Sequence, residues 1–206
     1  MNIKFKKLSA FSLAELLIML GVLSVLAMVA VPLLNSKKTT ALAIKFKKEY
    51  SYLEYFVSNL ISESGYYRPD KGFADTTPVA GEGTTNKFCY WLKDSISIQR
   101  DYGCPGMADA GTKLFGEATD GTLWYFYPAA FTVSVSNFDN KVIVDVNGNK
   151  KPNCFSNTKC ATYKPAGYSC GCSKPDTYVI GVRYDGKLNV DNDEVAKKIL
   201  LNQEKF

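Results

Sequence analysis

Residues 11–34, "FSLAELLIMLGVLSVLAMVAVPLL", form an apolar run of 24 positions whose only charged residue is Glu15. A bilayer-spanning helix takes about 20 apolar residues, and an ionised carboxylate inside one costs roughly 3 kcal/mol. The run therefore has the length of an anchor but carries an acid that an anchor does not need. As a secretory signal it would be cut after "ALA" at 41–43. The run exceeds the roughly 7–15 residues of such a signal, however, and Lys37 and Lys38 separate it from that site. As a plain transmembrane anchor it has the right length, and Glu15 goes unexplained.

Composition narrows the remainder. The chain of 206 residues has room for one domain beyond the apolar run. Its formal net charge is +5, with Lys4, Lys6 and Lys7 ahead of the run and other lysines concentrated at 37–48. That excess is too small to indicate a nucleic-acid partner. There is no histidine, the commonest general base and metal ligand. No nucleophile elbow, phosphate-binding glycine loop or paired carboxylate motif replaces it, so no enzyme activity is expected. All six cysteines, Cys89, Cys104, Cys154, Cys160, Cys170 and Cys172, follow the apolar run. An even number confined to that part points to disulfides made in an oxidising compartment. Cys89–Cys104 is the expected local bridge. The other four allow three connectivities, among which a Cys170–Cys172 bond is disfavoured by ring strain.

A basic leader with Lys6 and Lys7, the small Ala10, then Phe11, Glu15 in fifth place and an apolar helix together resemble the class III signal of type IV prepilins and pseudopilins. Pro32 stands at the twenty-second position after the junction, where that family commonly has proline. Ala10 occupies the place where the family usually has glycine. The resemblance implies a leader over 1–10, cleaved between Ala10 and Phe11 by a prepilin peptidase, with methylation of the Phe11 amine. It further implies that Glu15 pairs with the Phe11 amine of an adjacent subunit, so that two charges costly to bury alone neutralise one another and fix the axial register. Dipole compensation at its own helix start is the simpler role for Glu15. The implied protein is a structural subunit, a major or minor pilin or a pseudopilin. Its partners would be identical or homologous subunits and an inner-membrane assembly platform. Residues 11–34 would cross the inner membrane once, amino terminus inside and head in the periplasm, before joining a filament there or at the cell surface. The rival is a membrane-anchored extracytoplasmic binding domain that never polymerises.

Beyond Pro32 the apolar positions Leu42, Phe46, Tyr50, Leu53, Val57 and Leu60 form a helical stripe. This predicts helix to about Glu63, residues 35–64 being its amphipathic half, and Gly65 closing it. Residues 65–88, rich in Gly, Pro and Thr, read as an irregular connection into a head spanning 65–206. Strands are expected at 122–128, 131–136, 141–146 and 177–184, with a hairpin connection at 137–140 and a tight turn at Asp185-Gly186. The tail from Asp193 adds a short helix. The expected fold is thus α+β and pilin-like, one long amino-terminal helix packed on an antiparallel sheet. In "DVNGNKKPN" (145–153) oxygen-bearing side chains alternate as at the start of a calcium loop. Asp145, Asn147, Asn149 and Asp176 are therefore candidate calcium ligands, although a turn closed by Asn side chains explains the spacing equally. No other cofactor is expected.

Overall fold

The computed structural model describes residues 13–63, 65–75, 77, 86–129, 131–138, 140–190 and 193–201, with only the helical backbone of 27 and 29–40. Helix α1 runs Leu13–Ser62 and is followed by a 3-10 turn at Gly72–Ala74 and by α2 (Lys87–Ser95). Strands β1 (Ile98–Asp101), β2 (Lys113–Ala118), β3 (Leu123–Tyr127) and β4 (Asn140–Asp145) come next. Then follow β5 (Cys154–Phe155), β6 (Ser169–Cys170), β7 (Thr177–Val182), β8 (Leu188–Asn189) and α3 (Glu194–Leu200). The chain divides into two units, one ending at Thr40 and the other running from Ala41.

In the second unit the sheet order is β1-β2-β3-β4-β7-β5-β6, with β8 paired to β7. Alternation along β3 shows why it holds together. Trp124 and Phe126 point to one core with Val142, Val144 and Ile180, while Leu123 and Tyr125 point to a second with Ile143 and Val179. Both faces are covered, so the central strands are apolar throughout rather than alternating apolar with polar. The first core receives Ala43, Phe46, Leu53, Val57 and Leu60 of α1, together with Phe88 and Leu92 of α2 and Ile199 of α3. The second is roofed by Phe155, Cys160, Tyr163 and Tyr168 from the cystine-rich segment. Asp193 caps α3, its carboxylate accepting from the Ala196 amide at 2.9 Å. Gly186, at φ 79°, makes the tight β7–β8 turn where a side chain would be strained.

The expected architecture needs correction. The sheet is mixed, because β5 pairs in parallel with both β6 and β7. The part of α1 that lies on it is short, from Ala43 to Leu60, and the described amino-terminal side chains from Leu13 to Leu26 are exposed. A long helix packed on an antiparallel sheet is therefore not the fold, although helices and strands are indeed segregated. The membrane location is corrected too. Among the described residues no helix is long and apolar enough to cross a membrane. The single-pass anchor, and the anchored binding domain that needs it, lose their support.

Two local expectations also fail. Residues 131–136 are not a strand, since Val133 and Val135 are 58% and 72% exposed and have no sheet to cover them. The link from β3 to β4 is consequently a long loop rather than a hairpin at 137–140. The irregular connection expected over 65–88 ends earlier, since helix α2 begins at Lys87. Replacing Leu53 by Ala is expected to lower unfolding free energy by about 2–5 kcal/mol in a denaturant titration. Val133→Ala should stay within about 0.5 kcal/mol, and a comparable loss there would restore the strand.

Candidate functional site

The residues singled out in the sequence fall in three places. Ala10 and Phe11, the expected processing site, lie outside the described residues. Glu15 stands in the first turn of α1, where a negative side chain complements the helix dipole, and it is exposed among leucines. Around it Leu13, Leu16, Leu17, Ile18, Met19 and Leu20 are between 51% and 78% exposed. Consecutive positions point in different directions around a helix, so this surface is apolar on every side.

All six cysteines are paired. Cys89–Cys104 is present as expected, with Cα atoms 5.8 Å apart. Of the three pairings left open, the structure has the nested one, Cys154–Cys172 outside Cys160–Cys170. Loops of 15, 18 and 10 residues are closed in this way. A closed loop of such length restricts the unfolded chain by about 3 kcal/mol, and the second core depends on two of these bonds for its roof.

The suggestive loop after β4 is bound to that roof. Asp145 and Asp176 are both fully buried. Asn147 bridges them, its backbone N–H donating to Asp145 Oδ1 at 3.2 Å and its side-chain Nδ2 to Asp176 Oδ2 at 2.9 Å. The Tyr168 hydroxyl donates to Asp145 Oδ2 at 2.6 Å and lies 3.0 Å from the Tyr125 hydroxyl. Asp176 also accepts from the backbone of Asn153 and Cys154 at 2.9 and 2.7 Å and from the Thr177 hydroxyl at 3.1 Å. Asn149 is exposed at the turn and takes no part.

The candidate calcium ligands Asp145, Asn147 and Asp176 bind one another and the backbone around them. With Asn147, Asn153, Cys154 and Thr177 all donating to it, the four lone-pair positions of Asp176 are taken. Asn147 Oδ1 and Asn153 Oδ1 are buried without hydrogen-bond partners among the described residues. Among the described residues no group of three or more His, Cys, Asp or Glu side chains could hold a metal. The arrangement joins the 147–154 loop to the start of β7.

Tyr168 and Tyr125 were missed in the sequence because a hydroxyl aimed at a distant acid leaves no local pattern. Asp120 sits 3.6 and 3.5 Å from Lys45 and Lys48 of α1, and Asp101 lies 2.8 Å from Lys93. Such exposed pairs contribute about 0–1 kcal/mol each.

Burial pushes the Asp145 carboxyl up to about 7, against the Tyr168 hydrogen bond and with help from the neighbouring Asp176 charge. The folded group keeps its proton where the unfolded one, with an ordinary value of 3.8, releases it. Folding takes up a proton in that window, so stability is full below about pH 4 and falls as pH climbs towards about 7. Denaturant titrations across this range should show a loss on the order of 3 kcal/mol, flattened in Asp145→Asn. A rise in stability across the same window would contradict the assignment.

No family model matches the chain, and neither a curated protein nor a solved structure matches it.

Proposed function

We propose that the chain is a structural subunit of a helical filament of the type IV pilus or type II secretion kind. A prepilin peptidase processes it, and it joins identical or homologous subunits through the amino-terminal part of α1. The observation that carries this reading is the exposed apolar surface of that helix. Leu16, Leu17, Ile18, Leu20, Leu23 and Leu26 are each more than half exposed. Burying such side chains is worth about 1.5–3 kcal/mol apiece, and a helix apolar on all sides belongs in the middle of a bundle. Other copies of the same helix supply that bundle.

Glu15 then has a purpose that simple packing lacks. In a bundle of apolar helices its carboxylate is stable only beside a cation, and the amine freed at Phe11 of a neighbour supplies one. The pair selects one stagger between subunits, since any other leaves two charges alone in an apolar surrounding. The three disulfides of the head are in keeping with a structural role.

The test has two parts. Intact mass of the assembled protein should correspond to a chain starting at Phe11, with one methyl added and hydrogens removed for three disulfides. Retention of Met1 would defeat the processing claim. Glu15→Ala should lower filament incorporation by about a hundredfold, because a charge left buried alone costs about 3–5 kcal/mol, while the subunit still folds and retains its disulfides. Normal fibres from that variant would defeat the assembly claim.

A further inference from the structure

A second concavity, sharing no residue with the Asp145 cluster, opens between α1 and α2 with a volume of about 250 Å³. Tyr52 and Tyr55 reach it from α1, Glu63 from just past its end, Trp91 and Asp94 from α2, and Tyr66 from the turn between the helices. Residues 52 and 55 stand at helical spacing, so one face of α1 forms a wall. That wall is held in place. The Tyr52 hydroxyl donates to the Ser95 carbonyl at 2.5 Å, tying α1 to the end of α2. Tyr66 and Trp91 stand at 71° to each other with ring centroids 4.7 Å apart. Tyr55, by contrast, is 69% exposed and has its ring in solvent.

Charge decides what such a groove accepts. Glu63 and Asp94 are both exposed, no lysine or arginine lines the cavity, and neither acid has an ion-pair partner among the described residues. An anion would be repelled. A wholly apolar occupant would strip water from two carboxylates and return nothing. A cation satisfies the acids and the rings together, since aromatic faces attract cations by about 0.5–2 kcal/mol each within about 6 Å. Size narrows the choice further, because pockets for drug-sized ligands begin at about 300 Å³. The cavity suits a single headgroup.

We infer that this groove is a binding site for an organic ammonium ion, held between the rings of Tyr55, Tyr66 and Trp91 and neutralised by Glu63 and Asp94. The site is independent of filament assembly, since it uses none of the residues from 13 to 26.

Choline is the probe, titrated into the full chain kept in dilute nonionic detergent. The chain has two tryptophans, and Trp124 is fully buried, so a change in emission on titration reports Trp91. Saturable quenching is expected, weakened by high salt as for any exposed charge interaction. The uncharged isostere 3,3-dimethylbutanol should bind about tenfold more weakly or worse. Glu63→Gln combined with Asp94→Asn should cost choline about tenfold in affinity, and Tyr55→Ala somewhat less. These three side chains are exposed, so the fold should survive, and an unchanged melting transition checks it. Equal binding of the isostere would make the groove a plain apolar pocket and overturn the inference. Failure of choline to saturate, or unchanged choline affinity in the double variant, would overturn it equally.

Discussion

Phe46 lies nearly flat on Tyr178, ring centroids 4.0 Å apart and 20° from parallel. Through this contact and the Leu53, Val57 and Leu60 rows that continue it, α1 is seated on the central strands. The rest of the second unit follows. A sheet with one face covered by a helix can afford polar residues on its other face, yet here β3, β4 and β7 are apolar on both. A second cover is then obligatory, and the cystine-bonded segment from Cys154 to Cys172 provides it. That segment has little regular structure of its own, so its two disulfides hold in place what backbone pairing alone would leave loose.

The parts legible in the sequence were those whose pattern is local. The stripe from Leu42 to Leu60 repeats every three or four residues, and the strands at 123–127, 140–145 and 177–182 are dense in aromatic and β-branched residues. "FTVSVS" has the same local signature and is not a strand, because pleating needs a neighbour and none reaches Val133 or Val135. Helix α2 follows directly on a stretch rich in Gly, Pro and Thr and was not recognised. Its signal was present nonetheless: Asn86, which accepts from the Cys89 amide at 3.2 Å, precedes apolar residues at 88, 89 and 92. With α2 unrecognised, the meeting of Trp91 with Tyr66 and Tyr52 could not be foreseen. The parallel pairing of β5 was equally out of reach, since strands of two residues carry no periodicity and are placed by the sulfurs beside them.

Buried charge in the protein is handled by two different means. Asp176 is surrounded by four donors, and Lys87, also buried, touches Asp75 at 3.4 Å and Thr77 at 2.6 Å. Asp145 receives less, and burial leaves it close to neutral near physiological pH. The difference traces to chain geometry. Asp176 faces the amides of a neighbouring strand end, whereas Asp145 has the backbone amide of Asn147 and the Tyr168 phenol.

The two margins of the sheet are poor templates for edge-to-edge pairing. On one side β1 is four residues long and carries Arg100 and Asp101, engaged by Glu117 and Lys93. On the other, β6 has two residues, and one of them is locked to Cys160. Neither rim offers a stranger the long, flat row of free backbone groups on which sheets grow from molecule to molecule. In the filament we propose, association therefore falls to a helix, whose unions are set by side-chain fit and can be undone without unravelling a ladder.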